Sequence, residues 1–281
     1  MKKNILKRAL TLALAALLAL SLFACGKKNN DNSTSTSGAT SYKVGICNYV
    51  DDASLNQIVD NIKTQLAAIG QEKGVTFEIS YDNCNADSAV LNQIIANFIA
   101  DKVDLMIGVA TPVAVAMQAA TEDNQIPVVF AAVSDPVSTG IVESLEAPGS
   151  NVTGTSDALN TAFILDMMLA ANPDIKTVGL LYSNSEANST TPIAEAKAYL
   201  QEKQIDFVEK TGNTSGEIVE AAASMVGRVD AVFTPTDNVV MAAEVTVAET
   251  LNEAGIPHYT GADSFVAAGA FATCGVNYTE L

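Results

Sequence analysis

Apolar positions along the chain follow two rhythms that alternate. Continuous runs at Leu105–Ala110, Ile126–Val133 and Ala231–Phe233 fit strands covered on both faces, as in a parallel sheet flanked by helices. Between such runs the apolar residues recur at helical spacing. Leu55, Ile58, Val59, Ile62, Leu66 and Ile69 predict a helix over Ser54–Lys73, ended by Gly74. Val90, Leu91, Ile94, Ile95 and Phe98 predict another, capped by Asp87 or Ser88 and running to Ala100. Pro112–Ala120 is a third, with proline in its first turn. The strands expected among them are Lys43–Asn48, Val75–Tyr81, Leu105–Val109 and Pro127–Ala132. After an irregular Ser138–Ser150 and a β-prone Asn151–Ser156, the alternation restarts. Helices are expected at Ala158–Ala171, Pro192–Lys203, Glu217–Val226 and Val239–Ala254. Strands are expected at Val178–Tyr182, Asp206–Glu209, Ala231–Thr234, His258–Gly261 and Ala270–Val276. The fold class is α/β: two doubly wound parallel-sheet lobes, with Asn151–Ser156 as the first crossing between them.

Several apolar runs stop abruptly in small polar residues. Ile126–Val133 runs into Ser134-Asp135-Pro136, Ala231–Phe233 into Thr234-Pro235-Thr236-Asp237-Asn238, and Leu105–Ala110 into Thr111-Pro112. In open α/β sheets ligands bind where strands end and loops begin. Each turn taken alone reads equally well as an N-capped entry into a helix. Together they outline the walls of one cleft between two similar lobes.

The N-terminus is of another kind. Met1–Arg8 is basic, Ala9–Ala24 is nearly all Ala and Leu, and Leu22-Phe23-Ala24-Cys25-Gly26 follows. This is a secretory signal, and its end resembles the bacterial lipobox. The resemblance implies loss of residues 1–24 and lipid attachment at Cys25. Gly26–Ser41 is rich in Ser, Thr, Asn, Lys and Gly and reads as a tether, so 25–41 form a flexible link. The domains expected beyond it are 42–152, 153–276 and a short segment 277–281. The chain stops at Leu281 directly after a strand, where a return helix would normally follow, so a truncated frame is expected.

Charge narrows the partners. The chain has 15 basic and 32 acidic residues, net −17, and four of the basic ones (Lys2, Lys3, Lys7, Arg8) lie in the leader. Without them 11 basic face 32 acidic residues, net −21, which repels phosphate backbones and anionic lipid. Nucleic acid is therefore not an expected partner, and contact with the membrane is expected only through the lipid. No metal-site spacing and no C-x-x-C occur among four cysteines and one histidine, and neither metal nor cofactor is expected. Cys47 and Cys84 fall at the ends of expected neighbouring strands, which leaves a bridge open, although free thiols in a sheet are the favoured reading. His258 reads as a packed or capping residue rather than a ligand. With no G-x-S-x-G, no P-loop and no Cys/His cluster, an enzyme is not expected.

The order Val109–Pro112 (V-A-T-P), Pro127–Pro136 (P-V-V-F-A-A-V-S-D-P), Asn151–Asp157 (N-V-T-G-T-S-D), Leu180–Ser189 (L-L-Y-S-N-S-E-A-N-S) and Thr234–Asn238 (T-P-T-D-N) resembles the ABC-transporter substrate-binding lipoproteins of the tryptophan/tyrosine-binding type. The resemblance runs from Tyr42 to the end. It implies the type I periplasmic-binding-protein fold, capture of an amino acid, aromatic where known, and delivery to ABC permease subunits. It places the chain on the extracytoplasmic face of the cell membrane, as a monomer. Relatives often carry D-H-P-x-L-D after the first strand; here Asp51–Asn56 reads D-D-A-S-L-N.

An amino acid is a zwitterion, and its two charges ask for different walls. Its carboxylate is expected at helix N-termini and hydroxyls, with Thr111, Ser134 and Ser189 as candidates. Its ammonium is expected against Asp237 and Asp263, with Asp135 behind them. Asn188 and Asn238 both donate and accept, and Ser185 and Thr236 lie in the same loops. Tyr49 and Tyr182 end strands and would stack on an aromatic side chain. Asp135 reads equally as an Asx turn, Asp237-Asn238 as a helix cap, and Tyr182 as a core edge; Asp263 has a structural reading only as the cap of a short helix at Ser264. A sugar or nucleoside is the alternative ligand. A ligand-sensing or adhesive surface lipoprotein is the alternative role.

Overall fold

A computed structural model of the chain describes residues 40–278. The expected leader, Cys25, nearly all of the tether and residues 279–281 lie outside the described residues. Two five-stranded, wholly parallel sheets organise the rest. The first holds β1 (Ser41–Asn48), β2 (Thr76–Asn83), β3 (Leu105–Val109), β4 (Val128–Ala131) and β5 (Val152–Gly154) in the order β2-β1-β3-β4-β5. Its helices are α1 (Ala53–Lys73), α2 (Ser88–Ala100) and α3 (Thr111–Thr121). The second lobe opens with α4 (Thr161–Ala171). It holds β6 (Thr177–Tyr182), β7 (Asp206–Thr211), β8 (Ala231–Thr234), β9 (His258–Thr260) and β10 (Ala272–Thr273) in the order β10-β9-β8-β6-β7. Its further helices are α5 (Thr190–Glu202), α6 (Ser215–Ala223), α7 (Asn238–Glu253) and α8 (Asp263–Ala268).

These orders locate the site. In each sheet the chain first steps one way and then returns past its starting strand. The order reverses between β1 and β3 in the first lobe and between β6 and β8 in the second. Loops diverge at such points and leave a crevice at the strands' carboxyl ends. Helix starts there are set by side chains. Asp52 accepts from the backbone N–H of Ser54 (2.8 Å) and Leu55 (3.2 Å) to begin α1. Asp87 accepts from Ala89 (2.8 Å) and Val90 (3.0 Å) to begin α2. Gly74, at φ 66°, ends α1 in the left-handed conformation that glycine adopts without strain.

The ends of the pattern differ from expectation. The strand expected at Ala270–Val276 pairs only through Ala272 and Thr273. A Cβ on Gly275 would lie 2.7 Å from the Gly261 carbonyl, so here the backbone crosses the end of β9 instead of lining up beside it. Asp263 and Ser264, expected as a link, open the six-residue α8. Val152–Gly154, expected as a crossing, first pairs with β4, and the crossing follows it. His258 is packed inside the second lobe, its Nδ1 2.9 Å from Glu244 Oε1 and its Nε2 2.8 Å from Thr234 Oγ1.

Each lobe packs its helices on its sheet, and one apolar cluster continues across the seam between them. Leu55, Ile58, Ala110 and Ala132 of the first lobe share it with Val239, Met241 and Phe265 of the second and with Tyr278. In the first lobe α2 lies so close to β1 that the Phe98 ring covers Gly45. A Cβ there would meet ring atoms at 2.7 Å. Gly45→Ala is expected to lower stability by about 1–3 kcal/mol through overpacking, read as a lower midpoint in urea at unchanged slope. An unchanged midpoint would show that α2 does not press on β1 as described.

Candidate functional site

At the seam the strand ends of the two lobes converge on a hollow of ≈ 10 Å³, room for about one water molecule. Thr111 and Ser134 reach it from the first lobe, Asn188, Thr236 and Asn238 from the second, and Asp157 and Tyr278 from the segments that join the lobes. Ala110 and Ala132, the residues after β3 and β4, complete the wall at φ 78° and 56°. Left-handed alanines cost about 1–2 kcal/mol each and are found where a site over-determines the backbone. Beside the hollow opens a larger cavity of ≈ 680 Å³. Tyr49, Ala86, Leu91, Pro112 and Val115 wall it from one lobe, and Ala187, Val239 and Ala242 from the other. Ser88, Asn92, Asn213 and Thr214 are among its polar positions. Thr111 lines both spaces, and no Lys, Arg or His lines either.

The lobes touch directly. Ser134 Oγ lies 3.1 Å from Thr236 Oγ1, and Thr191 Oγ1 donates to Asp135 Oδ2 at 2.9 Å. The Ser264 N–H donates to Ser54 Oγ at 3.3 Å. Across this closed seam two buried polar atoms on the hollow have no partner, Thr111 Oγ1 and Asn188 Oδ1. Helix α3, which begins at Thr111, has no side-chain cap. Pro112 has no N–H and the Ala114 N–H donates to the Ala110 carbonyl (3.2 Å), so the donors this helix start can offer an anion are the N–H groups of Thr111 and Val113 and the Thr111 hydroxyl.

Three buried carboxyls surround the same seam. Asp157 accepts from Ser134 Oγ (3.0 Å) and Tyr278 OH (3.0 Å). Burial pushes its carboxyl up against the pull of those two donors. Glu186 accepts from Asn238 Nδ2 at 2.6 Å. Burial, and then the charge of Asp237, push it up to about 8. Asp237 is enclosed by donors. Its Oδ1 caps α7 through Val239 and Val240 (3.0 Å each), and its Oδ2 takes the Ser183 N–H and Ser189 Oγ (2.7 Å each). Burial raises its carboxyl as well. Among the described residues none of the three has a cationic side chain as partner.

The expected site residues therefore separate into groups. Thr111, Ser134, Asn188, Thr236 and Asn238 meet at the hollow, and Tyr49 and Ser185 line the cavity next to it. Burial and then the Glu186 charge raise the Tyr49 hydroxyl. Asp237 and Ser189 form a tie behind the wall. Asp135, Tyr182 and Asp263 line neither space. Asp135 caps its own turn at Ser138 N–H (3.0 Å) and latches the lobes through Thr191; burial opposes these bonds, which still hold its carboxyl below the ordinary range. Tyr182 donates to Glu209 at 2.8 Å, and Asp263 is exposed at the start of α8. Asp157, Glu186 and Tyr278 were not expected. Asp157 closes the Asn151–Asp157 motif, and Glu186 stands in the polar loop between Ser185 and Asn188, so both were within reach of the pattern.

The model of the ABC transporter substrate binding protein family matches residues 43–281. The chain belongs to that family. A tyrosine-binding protein of Clostridioides difficile is 33% identical over 280 residues, 98% of this chain and 81% of the relative. A Streptococcus pneumonia ABC domain solved in complex with L-Trp is 31% identical, with a TM-score of 0.81 over 86% of this chain and 81% of that one. A ligand-free, open substrate-binding protein with adhesive properties from Clostridium difficile is 34% identical, with a TM-score of 0.61 over 85% and 80%. At near-equal identity this substrate-binding protein superposes better on the ligand-bound relative than on the open one, in keeping with its closed seam. Its two lobes have the type I periplasmic-binding-protein architecture. Among the described residues no helix is long and apolar enough to cross a membrane.

The raised carboxyls carry a pH signature. A carboxyl whose folded pKa lies above its unfolded value, about 4, adds stability that is complete below that value and is lost as pH rises through the folded pKa. With Glu186 at about 8, the ligand-free chain is expected to melt at progressively lower temperature from pH 5 to pH 8. Glu186→Gln is expected to shrink that drop by removing one of the titrating groups. Identical slopes for the two proteins in a melting series across this range would mean that Glu186 ionises as it does in water.

Proposed function

We propose that the chain captures one amino acid with an aromatic side chain between its lobes and delivers it to the permease of an ABC importer. The observation that carries this reading is the set of carboxyls buried at the seam with no cation, next to a Thr111 hydroxyl and an Asn188 carbonyl with no partner. Leaving such groups unmet is costly, and a guest bearing one positive and one negative end relieves both kinds at once. The ammonium lies against Asp157, with Glu186 behind Asn238. The carboxylate lies at Thr111 and the uncapped start of α3. Because Thr111 borders both spaces, a zwitterionic head seated at the hollow sends its side chain into the ≈ 680 Å³ cavity, whose walls are mostly apolar. Tyr49 supplies an aromatic face there. The tyrosine-binding relative and the L-Trp complex support the aromatic class.

Entry requires the lobes to part, and the occupied seam is wider than in this structure, since this hollow holds no more than about one water. The ligand then favours the closed form because only that form brings Thr111 and Asp157 to it together with Asn188 and Asn238. The closed form is the one presented to the permease. The lipobox-like Leu22-Phe23-Ala24-Cys25 supports anchoring at Cys25 on the extracytoplasmic face, with the binding unit a monomer. The chain moves its ligand without chemical change.

Thermal-shift screening of the chain against amino acids, sugars and nucleosides tests the reading. L-tyrosine or L-tryptophan at 100 times Kd is expected to add about 2.7 kcal/mol. A shift with a sugar or nucleoside and none with any amino acid would refute it. Asp157→Asn is expected to weaken amino-acid binding about 30-fold or more by calorimetry. Its ligand-free melting temperature should not fall, because burial already disfavours the charge. Unchanged affinity would remove Asp157 from the site.

A further inference from the structure

Two thiols beside the cavity have no part in the reading above. Cys47 lies on β1 and Cys84 directly after β2, both fully buried in one apolar cluster of the first lobe. The register pairs Cys47 with Asp82 and Asn48 with Asn83, so Cys84 is diagonal to Cys47 and on the same face of the sheet. At this point the chain turns back over the end of β1. The Cys84 N–H donates to the Asn48 carbonyl (3.0 Å), the Ala86 N–H to Tyr49 O (2.8 Å) and the Asp87 N–H to Cys84 O (2.9 Å). Cys84 Sγ reaches the Tyr49 carbonyl at 3.3 Å, and Cys47 Sγ the Asn48 carbonyl at 3.6 Å. The two thiols also perturb each other's ionisation, as side-chain neighbours do.

We propose that Cys47 and Cys84 are a redox pair that closes into an intramolecular disulfide by exchange with a low-molecular-weight disulfide such as oxidised glutathione. Cys84 is the attacking sulfur. The Cys47 hydrogen bond lowers its thiol against the effect of burial, while the same bond, and then burial, raise Cys47. The Cys84 thiolate attacks one sulfur of the small disulfide, whose S–S bond breaks and releases one thiolate, which takes up the Cys84 proton. The Cys47 thiolate then attacks Cys84 in the mixed disulfide. It displaces the second small thiolate, which takes up the Cys47 proton. Two protein thiols are oxidised, and one small disulfide is reduced to two thiols.

The structure sets the rate and the consequence. Cys84 is buried, but the next residue of its turn, Asn85, is exposed, so exchange proceeds through local opening of that turn. Asn85 and Ala86 hold φ of 50° and 57°, a conformation that costs energy in alanine. Joining sulfurs that stand diagonally draws this turn toward β1. Ala86 and Tyr49 both line the ≈ 680 Å³ cavity, so oxidation acts on its wall.

The test is incubation of the full chain with oxidised glutathione, followed by peptide mapping without reductant, in which Cys25 and Cys274 are read on their own peptides. The expected product links Cys47 to Cys84 with the loss of two hydrogens, and a dithiol restores both thiols. The Cys47→Ser chain is expected to stop at a glutathione adduct on Cys84. The Cys84→Ser chain is expected to leave Cys47 unmodified. A wild-type chain that keeps both thiols while Cys274 reacts, or that stops at an adduct on either cysteine, overturns the assignment.

Discussion

Taking an ionised carboxylate out of water costs several kcal/mol unless a cation or a full set of donors replaces the water. The seam of this protein holds Asp157, Glu186 and Asp237 almost wholly out of solvent, and they are answered differently. Asp237 has four donors and serves as a tie between β6, β8 and the starts of α5 and α7. Asp157 has two hydroxyls, and Glu186 has the amide side chains of its neighbours. The deficit lies with these two, on the side where the Asn188 and Thr111 atoms are unpartnered. A fold that only had to be stable would place apolar residues at such positions. Retaining the acids makes sense for a protein completed by a cationic group from outside.

The two sheets make that arrangement available. Because each reverses its strand order beside its first strand, each presents a splayed pair of loops at the same end, and the two pairs face one another. The lobes are joined by segments that themselves take part. Asp157 follows the first crossing, and Tyr278, late in the chain, donates to it. On the proposed reading, that hydrogen bond links lobe movement to ligand contact. The better match to a ligand-bound relative than to an open one agrees with a seam that has already come together.

Much of the fold is legible in the sequence. Alternating rhythms point to the two parallel-sheet lobes, and abrupt polar ends to apolar runs point to Thr111, Ser134, Thr236 and Asn238, which meet at the hollow. Those signals are local, since a strand's end and a helix's start are neighbours in sequence. What escaped depends on contacts that no spacing encodes. Asp237 looked like an ammonium partner because it follows a strand, but whether its oxygens are free is decided by Ser183 and Ser189, more than forty residues away. Glu186 lies unmarked in its polar loop, because its partner Asn238 is 52 residues further on. Asp263 illustrates the converse: it follows a strand, yet it opens a short helix and faces solvent. The brief β10 was overextended because an apolar run does not reveal where the backbone must cross another strand's end.

A crystal structure of the chain grown with L-tyrosine is the most direct test of the account. It should show the amino acid between the lobes, its ammonium within hydrogen-bond distance of Asp157 and its carboxylate at Thr111 and the first turn of α3. A ligand bound in the reverse sense, or one seated outside the seam while Thr111 and Asn188 keep no partner, would contradict it.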